Sequence, residues 1–288
     1  MNFMKPAIAA TSLCLFAGAV NAETLNIQTS FNAGDFSTQF ITEHWVPDVE
    51  KRTEGRVKIV LTPNGSVVPA KETPSAVAVG VLDGDFTSVN YFAGLEPAYA
   101  IMGDLISGYD TPEQMIGFCK DGGGEAIMQK ASDAITDGEV KVVACGPYSR
   151  EALVARTPIR TFEDLSGKKI RSPEGLAAAV FSAAGASPVS IPFSEVFGAL
   201  EKGIVDAADA SAYVNNAATG LQDVAPYPLY PGIHSMPSMQ LIDWAQEDRD
   251  KLRVVARAQW EEFAKKSDLA KEALDAHIAY MTKIGLFK

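Results

Sequence analysis

The sequence predicts an α/β protein of two lobes with a hinge and a ligand cleft between them. Three observations carry that expectation. Short β-branched runs alternate with helical stretches, the pattern that builds parallel sheets with helices on both faces. The alternation restarts after about residue 150, which gives two halves of similar grammar. Residues 247–287 are then almost wholly helical in pattern, a terminal layer that follows both halves. In sheets of this kind ligands bind beyond the carboxyl ends of the strands.

In chain order, residues 24–29 (TLNIQT) alternate and are β-rich, a first strand. A helical pattern over 36–52 ends near Gly55, and 56–61 (RVKIVL) is a second strand stopped by Pro63-Asn64-Gly65. A short helix over 70–81 precedes a third strand over 85–89. Thr111-Pro112-Glu113 opens a long helix, with threonine as cap and proline in the first turn, and Gly122-Gly123-Gly124 interrupts it. Residues 139–145 (EVKVVAC) read as another strand. In the second half, strands are expected over 152–155, 168–171, 188–191 and 205–210. Between them come a capped turn at Thr161, an Ala-rich helix over 174–185 and a helix over 194–202.

Residues 1–22 (MNFMKPAIAATSLCLFAGAVNA) have the three parts of an export leader: Lys5, an uncharged and mostly apolar stretch, and small residues before Glu23. Cleavage is expected after Ala22, into the periplasm. Thr11-Ser12-Leu13 before Cys14 is not a lipoprotein box, and no later apolar run is long enough for membrane insertion of the mature chain. The formal charge is −11, from 25 Lys+Arg against 36 Asp+Glu. Such a chain repels phosphate backbones and anionic lipid, which excludes non-specific nucleic-acid and membrane-surface binding but not a small anion held by one buried arginine. With no CxxC and no Cys/His cluster, structural zinc is not expected. Cys119 and Cys145 can bond in an oxidising compartment, but their spacing does not bring them together, and two separately buried thiols are the favoured reading.

No catalytic apparatus is legible. GxSxG, HExxH, Walker and GxGxxG motifs are missing, and the glycine triplet lies between helices rather than after a strand. His44 and His277 read as surface or packing residues; His234, in a loop after Pro231-Gly232-Ile233, is the one histidine that tempts a hydrolase or lyase reading, with Asp209. An exported two-lobed α/β protein without such apparatus is most simply a solute-binding protein, neither an enzyme nor a holder of a cofactor or metal.

Residues 161–209 (TFEDLSGKKIRSPEGLAAAVFSAAGASPVSIPFSEVFGALEKGIVDAAD) resemble the substrate-binding subunits of tripartite ATP-independent periplasmic (TRAP) transporters in order, spacing and residue type. Weaker similarity runs through VPAKETPSAVAVGVLDGDF, YPGIHSMPS and the C-terminal AKKSDLAKEALDAHIAYMTKIGL. The resemblance implies two α/β lobes with a hinge and a long helix across both. It further implies a small carboxylate ligand, nearer the 2-oxo and 2-hydroxy acid branch than the sialic-acid branch, and membrane permease subunits as partners. A binding protein that serves a sensor is the alternative in the same compartment. The corresponding division is residues 1–22 leader, 23–146 lobe I, 147–234 lobe II, and 235–288 C-terminal helices returning across the lobes.

The expected ligand contacts follow from both lines of reasoning. Arg171 ends a strand, and its guanidinium fork can hold a carboxylate through two parallel hydrogen bonds; a structural ion pair is the competing role. The resemblance places Asp209 near the ligand, and leaves Arg150 as either a second contact or a surface residue. Tyr91 and Phe31, after strands of the first half, are expected to form the facing wall, with an ordinary loop or core position as the alternative for each. Two departures stand out. Ala210 replaces a larger side chain, which either widens the pocket or shifts contact toward Tyr213, Asn215 or Asn216. After Met239 the chain runs directly into Gln240, where the family has several dozen more residues, so a helix and a strand of the hinge are expected to be missing.

Overall fold

A computed structural model describes residues 22–147, 151–173, 175–191, 193–229 and 244–287. The leader up to Asn21, Arg150, His234 and the junction after Met239 lie outside the described residues.

The first half is built on a three-stranded parallel sheet. β1 (Glu23–Thr29) is central, between β2 (Val57–Thr62) and β3 (Gly84–Phe86), with Ile27 opposite both Leu61 and Gly84. The β1–β2 connection is helical over residues 36–52: α1 (Phe36–Phe40), a π-helical turn (Ile41–Trp45) and α2 (Val46–Arg52). The chain then reverses through Glu54 and Gly55, both at positive φ. α3 (Thr73–Ala78) connects β2 to β3. Beyond the sheet come α4 (Ala98–Gly103), α5 (Pro112–Asp121) and α6 (Gly124–Thr136).

α5 starts where the sequence places it. Thr111 and Gln114 form a reciprocal capping box, each side chain accepting from the other's backbone N–H, with Pro112 in the first turn. The glycine break after α5 is steric. Gly123 has φ +90°, and a Cβ on Gly124 would lie 2.8 Å from Cys119 Cα, so only glycine lets α6 fold back against α5.

The second half carries a five-stranded sheet of β4 (Leu153–Ala155), β5 (Lys169–Arg171), β6 (Ser187–Val189), β7 (Ala207–Asp209) and β8 (Tyr227–Leu229), in the order β6-β5-β7-β4-β8. α7 (Leu176–Ala183), α8 (Val196–Glu201), α9 (Tyr213–Ala218) and α10 (Leu221–Val224) connect the later strands. The sheet is mixed, not wholly parallel as expected. β5, β6 and β7 run together, whereas β4 is antiparallel to both β7 and β8. A hydrophobic alternation carries no direction, which is why sequence pattern could not reveal the reversal. β8 was also unforeseen; its Pro228 is tolerated because the strand lies at the sheet edge.

Two further expectations are corrected. Residues 139–145 form no strand. Their ladder bonds are taken by side chains: Gln129 donates to Val140 O at 3.0 Å and accepts from Val142 N at 2.9 Å, and Ser132 Oγ donates to Val140 O. Val143 is left almost wholly exposed. Cys119 and Cys145 are not separate thiols but a disulfide, S–S 2.07 Å, which ties this segment to α5.

The two halves share a core. α11 (Gln246–Ala264) packs on α7 and on α4, and α12 (Asp268–Lys283), capped by Ser267, packs on α4 and α6. Phe118, Ile101, Leu176, Val180, Trp260 and Met281 are buried together at that junction. A fully buried side chain of this kind is worth about 1.5–3 kcal/mol. Trp244, which precedes α11, sits in the second core with Ile170 and Phe181 and donates its indole N–H to Ile159 O. No described helix is long and apolar enough to cross a membrane.

Candidate functional site

The carboxyl ends of β5, β6 and β7 lie on one side of the second sheet, and Arg171 stands there. Its Nε donates to Ile191 O, just past β6, at 2.8 Å, and its Nη1 donates to Asp209 O at the end of β7 at 2.6 Å. The side chain is 8% exposed. Two carbonyls thus fix the guanidinium plane, and Nη2 makes no hydrogen bond among the described residues. Among the described residues no carboxylate forms an ion pair with it.

Because β4 runs antiparallel, the residue just before it also arrives at this side. Leu153 pairs with Asp209, and Glu151, two residues earlier, is on the same face, its Oε1 accepting from Ser211 N at 3.1 Å. From the first half, the turn Val89–Phe92 presents Tyr91, 52% exposed, and Asn90 donates to Asp104 Oδ1 at the end of α4. Glu151 and Tyr91 are reached by water yet have protein on most sides, as side chains lining an open cleft do.

The electrostatics tie these groups together. Burial raises the Asp209 carboxyl well above its ordinary range, Glu151 and Asp104 add to that, and Arg171 offsets part of it. Asp104 is pushed up to about 7 by burial and by Glu151, with the Asn90 amide acting the other way. Glu151 is raised by burial, against the Ser211 N–H and Arg171; solvent in the cleft screens it more than Asp209. The Tyr91 phenol is raised by burial and Glu151, with Arg171 opposing.

Arg171 therefore acts electrostatically on both Asp209 and Tyr91, two of the residues the sequence analysis expects around the ligand. Tyr213 begins α9 and its hydroxyl donates to Leu229 O, on β8. Asn216 Nδ2 donates to Ala210 O beside Asp209, while its Oδ1 is buried without a partner among the described residues. Its neighbour Asn215 makes the contact across the halves, accepting from Phe36 N at 3.0 Å. Phe31 is half-buried past the end of β1, where its carbonyl accepts from Asn64 N. Glu151 and Asp104 escaped sequence reading. Glu151 follows from the reversed β4; Asp104, after an apolar helix, has no signal of its own. His277 is a packing residue as expected, stacked on Phe118 at 3.7 Å with Nδ1 paired to the Tyr109 hydroxyl. His44 is exposed against Phe40. Among the described residues no trio of His, Cys, Asp or Glu is placed to hold a metal ion.

The model of the bacterial extracellular solute-binding proteins, family 7, matches residues 28–267. A monocarboxylate 2-oxoacid-binding periplasmic protein of Nostoc sp. is 30% identical over 189 residues, 64% of this chain and 50% of that protein. The 2,3-diketo-L-gulonate-binding periplasmic protein of Escherichia coli is 31% identical over 167 residues, 55% and 48% of the two chains. The chain spans about half the length of the curated relatives it matches. The crystal structure of a TRAP periplasmic solute binding protein from Rhodobacter sphaeroides, in an apo open form, superposes with a TM-score of 0.78 at 33% identity, covering 92% of this chain and 99% of that one.

Proposed function

This chain belongs to the family 7 bacterial extracellular solute-binding proteins, and from that premise we propose that it binds a small organic acid in the periplasm and presents it to the membrane subunits of a TRAP-type transporter. The observation that carries the reading is Arg171: a buried guanidinium oriented by two carbonyls, with no carboxylate among the described residues in an ion pair with it. A carboxylate accepting from the guanidinium gains charged hydrogen bonds worth about 1.5–3 kcal/mol each. Tyr91 supplies a hydroxyl from the opposite wall. Asp209 accepts from a donor on the ligand, and Tyr213, Asn216 and Phe31 shape the walls. Arg150 adjoins Glu151 in sequence and supplies a second cationic contact.

The protein acts by closure rather than by reaction. Residues 23–146 and 147–234 are the two lobes, and 235–288 return across them. Ligand contacts from both lobes favour the closed form over the open one, and differential affinity is all that such a switch requires. Residues 1–22 are the export leader, removed after Ala22.

A thermal-shift screen of the purified mature chain against carboxylates and neutral sugars tests the reading. Ligand at 100 times its dissociation constant stabilises by about 2.7 kcal/mol, a plainly measurable shift. Small acids should produce it. A shift with sugars and none with pyruvate, lactate or their homologues would sink the proposal.

A further inference from the structure

The two halves touch in two places. In one, α4, α7 and the C-terminal helices share a core. In the other, α1 meets α9. Each of these helices follows the carboxyl end of a strand, β1 or β7, the side of the sheets on which Arg171 stands. Among the described residues a single hydrogen bond joins residues 22–147 directly to 151–229: Asn215 Oδ1 accepts from Phe36 N at 3.0 Å.

That bond is prepared from both ends. Phe36 opens the helical run of residues 36–52, so its N–H has no partner within the helix. Asp35, at the cap position, does not serve it; the Asp35 carboxylate accepts from Asn32 N at 2.8 Å. Asn215 supplies the acceptor from the other half. It is 5% exposed, and its Nδ2 donates to Ser211 Oγ at 3.0 Å. Ser211, at φ +41°, is held in turn: its N–H donates to Glu151 Oε1 and its carbonyl accepts from Ala152 N. A non-glycine residue in that conformation is strained, and the strain persists only where the surroundings over-determine it. The ends of β4 and β7 that carry the candidate site therefore aim Asn215 at α1. We infer that Asn215 is an interlobe latch, which caps α1 across the cleft and biases the protein toward its closed form. The inference rests on the reading of the protein as one that closes on its ligand. Opening at the hinge parts α1 from α9 and strips the Phe36 N–H and the buried Asn215 oxygen of each other, so the bond favours closure. A ligand that needs the closed form binds more tightly in proportion to the fraction already closed. Asn215 is thus a positioning residue that acts on every ligand alike, whereas Arg171 acts through the ligand's own carboxylate.

The test uses the mature chain, with small-angle scattering on the free protein and calorimetry with pyruvate and lactate. Asn215→Ala removes the acceptor. Phe36→Pro removes the donor: proline suits the first turn of a helix, and Asp35, at φ −71° and ψ 141°, already has the conformation of a residue before proline. Phe36→Ala controls for the lost ring. Asn215→Ala, and Phe36→Pro relative to Phe36→Ala, should enlarge the radius of gyration. Both should cut affinity about 3- to 10-fold, by the same factor for each acid. The double variant should lose no more than either single one. Hydrogen exchange reads the bond directly: protection of the Phe36 amide should rise when acid is added, which a cap serving only the helix would not show. Unchanged scattering and affinity in Phe36→Pro against Phe36→Ala would overturn the latch, even should Asn215→Ala fail to fold. Unequal losses for the two acids in Asn215→Ala, not shared by Phe36→Pro, would also overturn it and put Asn215 on the ligand. Binding of neither acid would count against the organic-acid reading, and the scattering of the free variants would still decide the latch.

Discussion

Two buried arginines in this molecule are treated in opposite ways. Arg253, on α11, is 3% exposed and saturated: Nη2 meets Asp110 at 2.5 Å, Nη1 meets Asp250 at 2.7 Å and Nε donates to Ser107 O at 2.9 Å. It pins the 104–110 loop, in which Ser107 sits at φ +61°, onto the C-terminal helix. Arg171, 8% exposed, has carbonyls for partners, while the Asp209 and Glu151 carboxyls feel its charge and, among the described residues, form no ion pair with it. A guanidinium matched by carboxylates holds a fold together. One aimed by neutral carbonyls has charge left over for a ligand, the role proposed for Arg171. Burial alone does not separate the two roles; the identity of the acceptors does.

The contrast can be broken by mutation. Arg253→Met strands Asp110, whose side chain is 19% exposed, without its counter-charge. Loss of one member of a buried pair costs about 3–5 kcal/mol, so urea unfolding should show a large fall in midpoint with ligand affinity nearly unchanged in the protein that remains folded. Arg171→Lys should do the reverse. Lysine keeps the charge but not the fork, so affinity for the acid should fall 10- to 100-fold, about 1.4–2.8 kcal/mol, while the unfolding midpoint moves little. Equal losses of stability in the two variants would erase the distinction, and unchanged affinity in Arg171→Lys would remove Arg171 from the site.

The same contrast explains what the sequence could and could not reveal. The strand ending in Arg171, the helix opening at Thr111 and the C-terminal helices were legible because their determinants are local: alternation, caps and glycine stops. Arg171 and Asp209 were legible because they sit within a run of motif. Glu151 and Asp104 were not. Their meeting depends on the direction of β4 and on how the halves pack, and neither leaves a local trace. Residues 139–145 have strand alternation, yet Gln129 supplies the hydrogen bonds a neighbouring strand would have made. Arg253 gave no sign of its importance, since Asp110 is distant in sequence.

The smallest expected effects are in pH, and they separate the two regions by sign. Asp104, in the cleft, has a carboxyl pushed up to about 7 from 3.8. The folded state therefore holds this proton more tightly than the unfolded state, and stability falls as pH rises through roughly 4 to 7. His277, in the C-terminal core, is depressed to about 3 by burial. There the unfolded state binds the proton more tightly, so stability falls as pH drops from 6.5 toward 3. Each limb has a limiting slope of about 1.4 kcal/mol per pH unit, and water in the cleft reduces the first. Asp104→Asn removes the alkaline limb. It should raise the melting temperature at pH 8 by an amount corresponding to about 1–2 kcal/mol and have little effect at pH 4. His277→Met fills the apolar slot against Phe118 but leaves the Tyr109 hydroxyl without its partner. It should lower stability at pH 8 by about 1 kcal/mol, from the lost hydrogen bond, and flatten the acid limb. Melting curves from pH 4 to 8 for both variants check the pair. An Asp104→Asn gain that is the same at pH 4 and pH 8 would mean that Asp104 is not held protonated by the cleft.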